Sequence, residues 1–82
     1  MRNALYEIDE AIFADANFIE AYLMRARICN KLSANEAVVE ALLRARTIDS
    51  TFYPYIDYNL AGAYYACGRY VDAKYYYTIF LQ

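Results

Sequence analysis

The sequence has no histidine, no tryptophan, one proline, two glycines and two cysteines in 82 residues. Without histidine it lacks the side chain that titrates nearest neutrality, the commonest general base and the commonest transition-metal ligand. Two cysteines alone do not make the usual zinc sets, and they are too few for the disulfide framework of a small secreted domain. Cys29 and Cys67 are therefore expected as small buried fillers, and nothing signals a bridge between them or forbids one. An excess of charge of either sign is also missing. Eight Lys+Arg against ten Asp+Glu leave a net charge of −2, too weak a field to hold nucleic acid or an anionic membrane. No uncharged stretch approaches the ~20 apolar residues that cross a bilayer. Glu7, Asp9 and Glu10 interrupt the N-terminal region before a signal-peptide core forms. These absences argue against an enzyme, a metal site, a cofactor, nucleic-acid binding and direct membrane insertion. They leave the compartment open between cytoplasm and bacterial periplasm, because a signal already removed leaves no trace.

What is present is apolar bulk. Apolar residues make up 61% and charged residues 22%, which excludes a disordered segment. A chain this short forms one domain with a thin core. Charge is unevenly spread. Residues 1–20 set Arg2 against Glu7, Asp9, Glu10, Asp15 and Glu20 for a net −4, and residues 21–48 set Arg25, Arg27, Lys31, Arg44 and Arg46 against Glu36 and Glu40 for a net +3. Residues 49–82 carry a net −1. The acidic start and basic middle read first as solvated helix faces and second as a bias toward head-to-tail stacking.

An internal period organises the chain. Asp15-Ala16-Asn17-Phe18 recurs as Asp49-Ser50-Thr51-Phe52, 34 residues on, with Ile8 and Ala11 over Leu42 and Ala45 at the same offset. Beyond this the offset is 35: Ala26 falls over Ala61, and Glu36-Ala37-Val38 over Val71-Asp72-Ala73. One inserted residue near Tyr53-Pro54 accounts for the slip.

Each period holds two helical patterns, and a partial period precedes them, so five helices are expected. The first spans Asn3 to Ala14 with Ala4, Ile8, Ala11 and Ile12 inward. The second spans about Ile19 to Leu32, with Tyr22, Leu23, Ala26, Cys29 and Leu32 at three- and four-residue steps. Ser33-Ala34-Asn35 breaks it, and Asn35 suits the N-cap of a third helix over Glu36 to Ile48. There Val38, Ala41, Leu42 and Ala45 form the inner stripe, and Glu40 and Arg44 stand in the favourable order for an outer ion pair. The fourth helix starts at Pro54, whose missing N–H costs nothing in a first turn. It runs through Leu60, Ala61, Tyr64 and Tyr65 to Cys67, where Gly68 stops it. The fifth runs from Tyr70 through Ala73, Tyr77 and Phe80 to the C-terminus. The segments Phe52–Ile56 and Tyr75–Phe80 have strand propensity, but the repeat register places both in helices, and packing overrides propensity.

In order and spacing, Leu60-Ala61, Tyr64, Gly68-Arg69-Tyr70, Ala73 and Tyr77 resemble the tetratricopeptide repeat family. Tyr22, Ala26, Leu42, Ala45 and Asp49 form a more degenerate unit. Arg25, Cys29, Ser33 and Ser50 stand where that family favours Leu, Tyr, Gly and Pro. The resemblance implies an all-α fold of antiparallel helix–turn–helix repeats stacked as a right-handed α-solenoid. Residues 1–16 would be the second helix of an incomplete unit, 17–50 the degenerate repeat and 51–82 the well-matched one. Ala26, Ala45, Ala61 and Ala73 then mark close helix contacts.

The resemblance also implies a concave groove lined by the first helix of each unit, docking a protein or peptide without catalysis. By register its residues are Glu20, Leu23, Met24, Arg27, Asn30 and Lys31, followed by Tyr55, Tyr58, Asn59, Gly62, Tyr65 and Ala66. Arg27, Asn30 and Lys31 next to Tyr55, Tyr58 and Asn59 would suit an extended acidic or C-terminal peptide, the Arg and Lys supplying charged donors and the tyrosines rigid amphipathic surface. The carboxylate clamp found in part of the family is incomplete: Asn59 matches one position, but Leu23 and Arg27 replace the other two. The alternative is a structural segment that packs on other domains or self-associates through its helical ends. Asp49 to Pro54 resembles repeat modules at the front of bacterial outer-membrane-protein-A-like envelope proteins.

Overall fold

The computed structural model describes residues 4–82. It is all-helical, with no strand among the described residues: α1 Ala4–Ala14, α2 Ile19–Lys31, α3 Asn35–Ile48, α4 Ile56–Ala66 and α5 Tyr70–Leu81. The expected helix start at Asn3 lies outside the described residues. Among the described residues the helix backbones approach closely only between helices consecutive in sequence: α1 on α2, α2 on α3, α3 on α4 and α4 on α5. The chain therefore zigzags into a slab of 39 × 25 × 14 Å, too thin for more than two layers of helices each about 10 Å across.

One core runs through the slab. It draws Tyr22, Ala26 and Cys29 from α2, Val38, Val39, Ala41, Leu42 and Ala45 from α3, Ile56, Leu60, Ala63 and Tyr64 from α4, and Ala73 from α5. Ala45, Leu60 and Ala61 are fully buried, and Ala26 and Ala73 nearly so. A fully buried Leu contributes about 2 kcal/mol, the alanines much less, so the alanines act by letting helices approach. The α1 end is thinner. Only Ile8 is buried there, Leu5 and Ile12 lean on the core, and Ala4, expected inward, is exposed.

The sequence period reappears in the loops. At the end of α2 the Ala34 amide donates to the Cys29 carbonyl (2.9 Å) and the Ser33 amide to the Asn30 carbonyl (3.0 Å). At the end of α4 the Arg69 amide donates to Tyr64 (2.9 Å) and the Gly68 amide to Tyr65 (3.0 Å). These are two copies of the cap that satisfies a helix's last carbonyls by turning one residue left-handed, and Ser33 (φ 58°) and Gly68 (φ 79°) are those residues. The α1–α2 and α3–α4 loops also match. Asp15 Oδ1 accepts from the Asn17 amide (3.0 Å), and Asp49 Oδ1 accepts from the Thr51 amide (2.9 Å) and hydroxyl (2.8 Å).

Several local expectations are corrected. Asn35 is the first helical residue of α3, and Ala34 caps it with no side-chain bond. The left-handed turn that closes α2 already fixes Ala34, leaving no separate capping position. Arg69 occupies the same place before α5. Phe52–Tyr55 is not helical, and Pro54 precedes α4 instead of opening it. Pro54 sits at the second position of a turn closed by the Ile56 amide on the Tyr53 carbonyl (3.1 Å), where its fixed φ is favourable. Leu32, expected inward, caps α2 beyond its last turn and is 63% exposed. Cys29 is buried, but Cys67 is only half-buried, and both are free thiols. Glu40 and Arg44 make no ion pair, as long exposed side chains gain little from one.

Arg46, by contrast, does clasp two helices. Its Nε donates to Asp57 Oδ1 at 2.7 Å, joining α3 to α4, and its guanidinium lies 5.7 Å from the Tyr76 ring centre. The Asp57 hydrogen bond lifts the Arg46 pKa above its ordinary value, against the desolvation that lowers it. Tyr76 stacks on Tyr64 (5.5 Å, 15° between planes), and Arg69 covers the Tyr64 ring at 4.8 Å. Tyr76 and Tyr64 thus form a stacked pair with an arginine at each end, binding α5 to α4. The strand-prone Tyr75–Phe80 segment lies within α5 as expected, its aromatic bulk used in these ring contacts.

Candidate functional site

Because α2 and α4 pack on α3 but not on each other, a gap runs between them. It is an open groove of about 590 Å³, within the range of ligand-binding clefts. α2 contributes Leu23, Ala26, Arg27 and Asn30, and α4 contributes Tyr58, Asn59, Gly62 and Ala63. Each set follows the three- and four-residue steps that keep side chains on one helix face. Val38 and Leu42 of α3 form the floor, and Tyr53 from the α3–α4 turn lines one end.

Of the residues expected in the groove, Leu23, Arg27, Asn30, Tyr58, Asn59 and Gly62 line it. Met24, Lys31, Tyr55 and Tyr65 do not, and neither do Glu20 and Ala66. Met24 and Lys31 are one position round the helix from Leu23 and Asn30 and point to solvent; Met24 is 51% exposed. Tyr65 stands on the face of Tyr58 and Gly62 but one turn further along α4, its ring against Tyr70 at 5.0 Å. Tyr55 stands ahead of α4 and meets Tyr53 (6.0 Å) and Phe80 (5.9 Å). The sequence reading missed Tyr53, Ala63 and the apolar floor. Ala26, Val38 and Leu42 read as core, which they also are. Tyr53 read as helical, although the slip of the repeat period beside it marks an insertion that belongs in a loop.

The polar groups of the groove are few and unequal. Asn59 Nδ2 donates to the Tyr53 hydroxyl at 3.2 Å, tying α4 to the turn. Arg27 and Asn30 have no side-chain partner among the described residues. Among the described residues no carboxylate lines the groove, and Arg27 is the one charged residue that does. Asp57, near the start of α4, is engaged with Arg46, and Arg25 on the neighbouring stripe of α2 pairs with Asp9 of α1 at 3.2 Å. An apolar floor, amide and hydroxyl groups at the walls and one free guanidinium can hold an anionic, partly apolar chain. Among the described residues no three Cys, Asp or Glu side chains converge as metal ligands, and no helix is long and apolar enough to cross a membrane. No protein-family model, curated protein or solved structure matches this chain.

Proposed function

We propose that the chain is a non-catalytic docking module in which the groove between α2 and α4 holds an extended, acidic segment of a partner protein. The observation that carries this reading is the unpaired Arg27 guanidinium over an apolar floor with no carboxylate among the lining residues. A charge-assisted bond to guanidinium is roughly twice as strong as a neutral one. The repeated caps and turns support reading the five helices as two and a half tetratricopeptide-like units of a right-handed α-solenoid, a family that docks peptides on this face. The partner's carboxylate is assigned to an Asp or Glu side chain and not to a chain terminus. A terminus calls for several donors at once, and the Asn59 amide is already committed to Tyr53.

The test is an array of extended octapeptides, amidated at the C-terminus, in which acidic, basic and neutral residues are permuted around an apolar centre. Acidic members are expected to bind. Arg27→Ala should reduce that binding at least tenfold, while Lys31→Ala, on the exposed stripe outside the groove, should change it less than threefold. Equal binding by wild type and Arg27→Ala would dismiss the groove as the site.

A second reading, association of copies through the slab's ends, is favoured by one specific observation. Phe13 of α1 is 94% exposed, and Val71 and Leu81 of α5 are 85% and 81% exposed. The equivalent outer face of α3 carries Glu36, Glu40, Arg44 and Thr47. Sedimentation across a hundredfold concentration range tests it; a constant monomer mass would exclude it.

A further inference from the structure

Gly62 sits in the middle of α4, where glycine is less favourable than alanine because it loses more backbone freedom on folding. Nothing within the molecule demands it. A Cβ built at Gly62 would meet no atom within 4 Å, in contrast to a glycine kept for close helix packing. Its backbone is ordinary helix without positive φ, unlike Gly68, whose left-handed turn accounts for that residue. The empty space beside Gly62 opens into the groove, which Gly62 lines together with Tyr58 and Asn59. By the 35-residue period, Gly62 is the counterpart of Arg27, so one helix carries a charged lining residue where the other carries no side chain.

We infer that Gly62 is a specificity-determining position. The bare α4 backbone there forms a shelf between Tyr58 and Asn59, over which a large apolar side chain of the partner segment passes, while a carboxylate of that segment meets Arg27 on the opposite wall. The inference rests on the docking function proposed above and sharpens it. The partner carries an acidic residue and a bulky aliphatic or aromatic residue within a few positions of each other. A side chain at position 62 would occupy the space the partner's apolar group uses. This makes affinity, not stability, the property the glycine serves.

The experiment uses amidated octapeptides that bind the wild-type chain in an Arg27-dependent manner, with the apolar position varied through Gly, Ala, Leu and Phe. Wild type should prefer Leu or Phe over Gly by at least tenfold. Gly62→Ala should melt at the same temperature or higher, and should bind the Leu and Phe peptides at least fivefold more weakly while retaining the Gly peptide within twofold. Gly62→Leu should lose the Leu and Phe peptides altogether. If Arg27-dependent peptides bind Gly62→Ala as they bind wild type, the shelf is wrong and the docking groove stands. If no peptide binds in an Arg27-dependent manner, the groove reading fails and the shelf with it. The same sequences are also presented with a free C-terminal carboxylate, and binding confined to that form would overturn the assignment to an acidic side chain.

Discussion

At the scale of single residues, the two left-handed turns offer a comparison built into one chain. Ser33 and Gly68 occupy the same place in the same cap, with the same pair of backbone bonds, but only Gly68 reaches positive φ without steric cost. A left-handed residue with a Cβ costs roughly 1–2 kcal/mol, partly offset because glycine also gives the unfolded chain more freedom. Ser33→Gly is thus expected to stabilise the fold by about 0.5–1 kcal/mol, and Gly68→Ala to destabilise it by about 1 kcal/mol, both read from urea midpoints. The loop aspartates make a second residue-scale case. The Thr51 backbone N–H and then its hydroxyl bond to the Asp49 carboxylate and hold its pKa below the ordinary value. A depressed folded pKa means that the stabilisation is present above the unfolded value and is lost as pH falls through the folded one. A carboxyl-detected NMR titration should place the Asp49 midpoint low, and Thr51→Val, which removes only the hydroxyl bond, should raise it part of the way.

At the scale of helices, close approach depends on small residues held at buried crossing points. Ala61 is fully buried in α4, so Ala61→Leu forces extra methylenes into a packed layer and is expected to cost about 1–3 kcal/mol. A unchanged melting temperature would remove the contact role assigned to it. The helices themselves were legible in the sequence because apolar steps of three and four residues coincide with a period of 34 to 35. Tyr75–Phe80 shows the strength of that signal, since its strand propensity yields to ring contacts with α4 such as Tyr76 on Tyr64. Pro54 and Asn35 were misplaced for a common reason. Their roles depend on turns whose geometry is set by backbone bonds, from Ile56 back to Tyr53 and from Ala34 back to Cys29, and such bonds leave no mark on residue type. The helices that border the groove were legible, and on α2 two of the expected residues fall one position round the helix from those that line it. A rotation of about 100° per residue separates Leu23 and Asn30, which line it, from Met24 and Lys31, which face water. Register from a repeat fixes the helix but not its exact roll, because roll is decided by which neighbours the buried alanines meet.

At the scale of the whole molecule, close backbone packing of each described helix on its sequence neighbours makes the fold nearly one-dimensional, and such folds lose structure from their ends. The middle is well held. α3 buries five residues and α4 five, and Arg46 and Asp57 clasp the two helices together. The ends are not alike. α1 buries Ile8 alone and meets only α2, with the exposed Arg25–Asp9 pair adding little. α5 also buries a single residue, Ala73, but its aromatic rings engage α4 at Tyr58–Tyr77, Tyr58–Phe80 and Tyr64–Tyr76. Such ring pairs contribute about 0.5–1.5 kcal/mol each beyond the area they bury. Native-state hydrogen exchange should therefore rank the amides of α1 least protected, α5 intermediate, and α3 and α4 close to global stability. Tyr76→Leu keeps much of the apolar area but removes the stack on Tyr64 and the Arg46 contact, so it should drop α5 toward α1 while leaving the α3 amides unchanged relative to global unfolding. Uniform protection from α1 to α5 would show that the slab opens as one cooperative unit, and would contradict a stability graded along the chain.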